Sequence, residues 1–591
     1  MRTHLPALFL SLSVIYLSCQ ADSTPEMAHF DVTIRLPTEP DMLNPARSAS
    51  SYATQVESQI FFPLAEMDPF DYTLTPLLIE SIPDAEKITS GPDSGGVRFA
   101  YTIRKEAQWQ DGQPVTGYDY AFTMKMALDP QVDVAQWRGF LTLISDVRVD
   151  SANPRKFVVT IGEQYILADL IACNFNIYPK HIYDAEGFLD GYTVRALTDP
   201  TIADSLARTT DGLRKFADQF MQSRFANEVV VGSGPYQLTS WETGQRIILD
   251  KVSSWWGAQL SQPARLLQAY PDRLIYEFVP DENTALTMVK DGTIDVMSEV
   301  SPGSFVQLRN DPAYADVLNF FTPKLNVYYS LLLNNHRPLL QEKAIRKALA
   351  CILDYDGVVN QLAQGMGART VGPFHPDVEY YNHDLTPVPF DLDLARQYLS
   401  DDGWSDSDGD GILDKVIAGQ RTPLALTMTT TQSALGQGVG LLMQENARKV
   451  GIEITLITRD GASFNQDLRA RNFDIATARN DSPITLADPY QSWHSDSDAP
   501  GGGNRSGFRN ARADSLILVI RGSDEAAQRN AAYVEFQSIL ADEQPVIFLY
   551  TPLERIIVSK RFEMQTSARR PGYFEQLFQL SHSPANDGEK G

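Results

Sequence analysis

The sequence predicts an α/β protein in which strands and helices alternate along one long chain. Three stretches carry that expectation. Over residues 97–128, Val97, Phe99, Tyr101 and Ile103 alternate with Arg98, Ala100, Thr102 and Arg104, the period of a strand with one apolar face. Asp111, Gly112 and Pro114 then break the strand with turn chemistry. Thr116 with Asp119 is a capping-box pattern at a helix start, which Phe122 and Met126 continue at helical spacing. Residues 328–335 form a nearly unbroken apolar run, as expected of a strand buried on both faces. Residues 440–456 read as helix, glycine stop and alternating strand.

A chain of 591 residues implies a large multi-lobed unit or several domains. Its 43% hydrophobic and 21% charged content is that of an ordinary soluble globular protein. The net charge of −25, from 75 acids against 50 bases, argues against nucleic acid as a partner, because phosphate binding needs a basic surface. It fits a protein kept soluble by self-repulsion. There are three cysteines and no CxxC metal pair. Cys173 and Cys351 read as buried apolar fillers, with a disulfide between them as the alternative.

Cys19 closes a different kind of segment. Arg2 supplies a positive start, residues 5–17 are mostly apolar, and Ser18 is a small residue before the cysteine. This is a secretory signal pattern too short for a stable membrane span. It resembles a bacterial lipoprotein signal, which makes residues 1–19 the signal peptide, Cys19 the lipid anchor and residues 20–28 a polar tether. The alternative is cleavage near Ala21 and a free periplasmic protein. No other stretch holds the roughly 18 apolar residues that a span needs.

Taken in order, residues 30–36 alternate as a strand, and Leu43-Asn44-Pro45 follows as a turn. Residues 157–161 form another strand, and Pro179 precedes a short helix. Residues 183–224 are polar and mostly helical in pattern, which predicts a surface insertion. In Gly232-Ser233-Gly234-Pro235-Tyr236 the glycines permit unusual φ and Pro235 holds an extended backbone, leading into a strand to Trp241. A phosphate loop is excluded there, because GxxxxGK[ST] opening a helix is missing. Ile345, Leu349, Ile352 and Leu353 fall at helical spacing, residues 395–399 form a helix before Gly403-Trp404, residues 473–476 a strand, and residues 545–547 a late strand.

Several of these residues form a recognisable set. Arg104, Lys105, Trp109, Asp111, Gly112, Pro114, Val115, Thr116 and Asp119, then residues 232–236, Trp255-Trp256-Gly257, Phe473-Asp474, and Asn504, Gly507, Asn510 and Asp514 stand in order. The set resembles the signature of the family 5 extracellular solute-binding proteins, the dipeptide- and oligopeptide-binding components of bacterial ABC importers. The resemblance covers roughly residues 30–560. It implies a two-lobed periplasmic-binding-protein fold, type II and cluster C-like, with an extra subdomain and a hinge between the lobes. The first lobe would take residues 29–60, 225–320 and 530–580, the subdomain 61–224 and the second lobe 325–525, within a domain over 29–580 and before a disordered tail at 581–591.

The implied function is capture of extracytoplasmic peptides in an interlobe cleft and delivery to a membrane permease. Its ATPase subunits would supply the hydrolysis, since no Walker A motif is present. The protein would act as a monomer, in the periplasm or at the cell surface, touching the membrane through its lipid anchor only. A peptide needs a carboxylate for its ammonium end and a cation for its carboxylate end. The resemblance points to an acid shortly after the Phe473-Asp474 strand. Asp481 sits there, Asp488 of Asp488-Pro489 is its rival, and Arg369 is the candidate cation. The alternative solutes are oligosaccharides and metal chelates, and the alternative class is a secreted hydrolase. The chain holds no GxSxG or HExxH, and its eight histidines are scattered without ligand spacing, so the expectation is no enzyme.

Asp406, Asp408, Asp410 and Asp414, with Gly411 among them, have EF-hand-loop spacing, although Ile417 stands where the bidentate Glu belongs. No cofactor is expected, with a structural calcium at those four acids as the less favoured reading. The alternative is a solvated acidic turn.

Overall fold

The computed structural model describes residues 29–48, 50–499 and 502–581. Cys19, the tether at 20–28 and all but the first residue of the tail lie outside the described residues. Among the described residues no helix is long and apolar enough to cross a membrane.

Two large sheets carry the fold. The first has seven strands in the order Leu318–Phe321, Ile556–Ser559, Val296–Met297, Asp31–Leu36, Arg273–Phe278, Arg246–Lys251 and Tyr236–Glu242. Asp31–Leu36 and Arg273–Phe278 run parallel in continuous register, while Arg246–Lys251 pairs antiparallel on both sides. The second has six strands in the order Gly367–Arg369, Val546–Pro552, Val327–Leu333, Ile475–Asp481, Ala425–Thr431 and Glu453–Arg459. The apolar run predicted over 328–335 is its central strand. Leu331 and Leu333 enter one core and Tyr328 and Leu332 another, because side chains alternate across a strand. Burial on both faces removes the polar alternation that a half-exposed strand would show.

The chain passes between the two sheets after Phe321 and again after Pro552. These connections run side by side. Glu554 donates its backbone N–H to Pro323 at 2.8 Å, and Lys324 bridges Leu553 antiparallel. Residues 530–580, expected in the first lobe, are therefore divided. Val546–Pro552 pairs with Val327–Leu333 in the second sheet, and only Ile556–Ser559 returns to the first. The apolar pattern of Val546–Pro552 made it a strand but could not say which sheet had a free edge for it.

A four-stranded antiparallel sheet of Glu86–Lys87, Val97–Thr102, Lys156–Ile161 and Ile144–Val149 forms the subdomain, and its core is continuous with that of the first sheet. Its capped helix is Gly117–Leu128. The Asp119 carboxylate accepts the Thr116 backbone N–H at 2.9 Å, and its other oxygen accepts the Lys180 N–H at 2.9 Å, so one acid ties two helix starts together.

Residues 183–224 are no mere surface insertion. Tyr183, Phe216 and Phe220 are fully buried; the first and last pack on Tyr178 and Phe225, and Phe216 stacks on Phe220. Their polar neighbours on the outer helix faces masked that contribution. Gly232 and Gly234 are required for close approach rather than for unusual φ: a Cβ on either would lie 2.0 Å or 2.5 Å from a carbonyl oxygen of Ile60 or Gln59. Between them the Ser233 carbonyl accepts both indole N–H groups of Trp255 and Trp256, at 3.0 and 2.8 Å. Cys173 and Cys351 are free and buried in separate cores, so the disulfide alternative is excluded. Burial pushes the Cys351 thiol up to about 11, which keeps it unreactive.

Candidate functional site

A cavity of about 670 Å³ lies between the two sheets, walled also by the subdomain and by the C-terminal stretch 568–576. That volume falls in the range of roughly 300–1,000 Å³ usual for small-ligand sites. One wall comes from the helix Ser51–Glu57 and the turn after it, where Tyr52, Gln55, Ser58 and Gln59 face inward. The opposing wall is the end of strand Ile475–Asp481, where Arg479 and Asp481 line the cavity. Residues two apart on a strand share a face, with about 6.6–6.8 Å between their Cα atoms.

The other charges of the cavity are ion-paired or hydrogen-bonded within the protein. Arg570 pairs with Glu299, which also accepts the Tyr52 hydroxyl at 2.9 Å. Arg569 pairs with Glu66, and Asp68 meets Arg265 at 3.5 Å. Arg35 donates to the Val279 and Pro280 carbonyls at 2.9 and 3.2 Å. Glu575 accepts from the Tyr276 hydroxyl at 2.7 Å and from Gln55 at 3.1 Å, and burial holds its carboxyl above the usual range. Arg479 and Asp481 differ. Among the described residues neither has an ion pair, both are exposed, and the Asp481 carboxylate has no hydrogen bond.

Two cavity residues hold the left-handed backbone that a non-glycine residue rarely adopts: Tyr72 at φ 60° and Glu299 at φ 57°. Such strain of order 1–3 kcal/mol persists only where surroundings impose it. Here Asn326 donates to the Tyr72 hydroxyl at 3.0 Å, and the buried Glu554 accepts the Glu299 N–H at 3.1 Å.

A model of the bacterial extracellular solute-binding proteins, family 5, matches residues 73–502. The chain belongs to that family. It is 24% identical over 532 residues to the oligopeptide-binding protein AppA of Bacillus subtilis, covering 89% of this chain and 87% of that one. The solved structure of AppA in complex with a nonapeptide superposes with a TM-score of 0.75 at 22% identity, covering 93% of this chain and 99% of that one. NikA from Brucella suis, in complex with Fe(III)-EDTA, superposes with a TM-score of 0.71 at 18% identity, covering 93% and 100%. The two-lobed fold expected from the sequence is thereby shown.

Within this family 5 binding protein, the three ligand-binding candidates part company. Asp481 is in the cavity wall. Asp488 is not. Its side chain is 3% exposed and accepts from the Tyr165 hydroxyl at 3.0 Å, from Arg521 Nε at 2.9 Å and from the Tyr490 N–H at 2.9 Å. Arg369 is also outside. Its strand Gly367–Arg369 lies at the sheet edge, its guanidinium stacks 3.7 Å from the Tyr355 ring centroid, and it donates to the Val388 carbonyl. Cation–π packing and burial occupy the charge that a ligand carboxylate would have used.

The four acids with EF-hand spacing do not all converge. Carboxylate oxygens of Asp406, Asp408 and Asp414 lie within 4.8 Å of one another, but Asp410 caps the Ile412 N–H at 2.8 Å. Arg421 pairs with both Asp408 and Asp414 from the adjacent strand Gln420–Pro423, so a side-chain cation already stands against two of the acids.

The sequence reading missed Arg479, Tyr72, Glu299 and Arg570. Arg479 was legible, because its position two before Asp481 on one strand puts it on the same face. The others come from distant segments with no shared spacing.

Proposed function

We propose that this protein captures short peptides in the interlobe cavity and hands them to an ABC permease, binding its ligand without transforming it. The observation that carries the reading is the pair Asp481 and Arg479. They are opposite charges without an ion pair among the described residues, in a cavity whose other charges are ion-paired or hydrogen-bonded within the protein. A peptide brings the complementary ammonium and carboxylate, and charge-assisted hydrogen bonds to each are stronger than neutral ones. The names of relatives such as the oligopeptide-binding protein AppA support the same solute class.

Ligand binding would favour the closed arrangement through its greater affinity for that state, with the paired connections after Phe321 and Pro552 as the hinge. The family's extracellular setting supports action outside the inner membrane, where the protein would act as a monomer. The apolar segment ending in Cys19 supports a lipid anchor there, and replacing Cys19 by Ser should release the protein from membranes.

A thermal-shift screen tests the solute class. A pooled library of dipeptides and oligopeptides should raise the melting temperature saturably, by mass action. A shift with oligosaccharides or metal chelates and none with peptides would overturn the peptide assignment.

A further inference from the structure

Asp488 lies outside the cavity, in a contact that joins two parts of the molecule with separate cores. Residues 164–166 belong to the subdomain, whose core is continuous with the first sheet. Asp488, Tyr490 and the helix Ala511–Gly522 pack on the second sheet. Between them the Tyr165 hydroxyl reaches Asp488 at 3.0 Å, and the Ile166 backbone N–H donates to the Arg521 carbonyl at 2.9 Å. Arg521 Nε meets Asp488 at 2.9 Å, and its guanidinium lies between the rings of Tyr165 and Tyr490, at 5.1 and 4.3 Å. The Ile166 side chain packs against both cores.

We propose that Asp488 and Arg521 form a latch that holds the subdomain on the second lobe and sets how readily the cavity opens. Any motion that parts the lobes about the hinge connections must also part Tyr165 and Ile166 from Asp488 and Arg521. The latch is a positioning device, since none of these four residues lines the cavity. Its strength resides in the buried pair. Asp488 and Arg521 are 3% and 16% exposed, and removing one partner leaves the other charge uncompensated. The neighbouring Lys87–Asp524 bridge at 2.7 Å is exposed on both sides and contributes little. The proposal holds whichever solute the cavity takes, because every contact named is within the chain.

Hydrogen exchange of the full chain without added solute reads the latch directly, because the Ile166 amide bond crosses it. Asp488→Asn keeps the shape and removes the charge. It should speed Ile166 exchange about 10–100-fold, the loss of one charge-assisted hydrogen bond, while amides of Val327–Leu333 stay as they were. Arg521→Gln should do the same, and the double variant should add little, since the two act as one unit. Lys87→Gln should change Ile166 exchange less than about threefold. Unchanged Ile166 exchange in both Asp488→Asn and Arg521→Gln would overturn the latch. So would a rise matched by Val327–Leu333, which would mark global destabilisation instead. If Asp488→Asn does not fold, Arg521→Gln and Tyr165→Phe, which removes a single hydroxyl, decide the matter alone.

Discussion

Asp481, the last residue of one strand, and Asp488, in the connection after it, are the same residue type, and the structure puts them to opposite uses. Asp481 ends its strand with an exposed carboxylate in the cavity and no hydrogen-bond or ion-pair partner among the described residues. Asp488 is closed in by Tyr165, Arg521 and the Tyr490 amide. A carboxylate already satisfied by three protein donors has little to offer a ligand. One without such donors, beside an arginine that has no ion pair among the described residues, has its hydrogen-bonding capacity in reserve. The partner inventory of a charged side chain, more than its place in a motif, separates a site from a brace.

Substitutions can break this comparison. The largest effect is expected from Asp481→Asn: affinity for a peptide found in the thermal-shift screen should fall about 30–1,000-fold by calorimetry, as when one partner of a desolvated charge pair is lost. An N-acetylated version of that peptide should lose little further on the substitution. Equal losses for both forms would remove Asp481 from ammonium recognition. Arg479→Gln should cost about 10–100-fold for the free carboxylate and far less for the C-terminal amide. Asp488→Asn should weaken all these forms alike, since it acts through the latch and touches none of them.

A third carboxylate extends the contrast to one that is unsatisfied but buried. Asp129 Oδ1 accepts the Gln131 N–H at 3.0 Å, but Oδ2 has no partner among the described residues, and burial pushes its carboxyl up to about 7. In the unfolded chain it would titrate near 3.9. Between those values the folded state holds more protons, so this group's contribution to stability falls as pH rises from about 4 to 7 and is level above about 8. Asp129→Asn should abolish that slope and stabilise the fold at neutral pH on the order of 2 kcal/mol by denaturant unfolding. A variant with the same slope as the parent would assign the pH dependence elsewhere. The smallest effect is expected at the acidic turn. Asp410→Ala removes an exposed cap on Ile412 and should change stability by no more than about 0.5 kcal/mol. Millimolar calcium should leave the melting temperature of the parent unchanged while Arg421 pairs with Asp408 and Asp414. A calcium-dependent rise would instead place the ion among Asp406, Asp408 and Asp414.

Much of the architecture was legible in local pattern. The alternation of Val97 to Ile103, the Thr116–Asp119 cap and the apolar run around Leu331 each became the element expected, because period, capping and burial are written into neighbouring residues. The family motifs were legible for a related reason. Gly232, Gly234, Trp255 and Trp256 meet in one packing knot that tolerates few alternatives. The site was legible only in part. Arg479 and Asp481 share a strand and a period of two. Tyr72, Glu299 and Arg570 reach the cavity from segments hundreds of residues apart, with no spacing to connect them.

The sequence by itself determined the strands, the caps, the family and a short list of acids as candidates to meet a ligand's charge. It could not say which of those acids had its partners already. Arg521 and Tyr165 are distant from Asp488 along the chain and adjacent to it in space. Tertiary structure alone decided that Asp488 is spent on a contact within the protein, that Arg369 is covered by Tyr355, and that Asp481 stands open. The reason is physical: a charge's availability depends on everything that surrounds it, and only the folded chain assembles those surroundings.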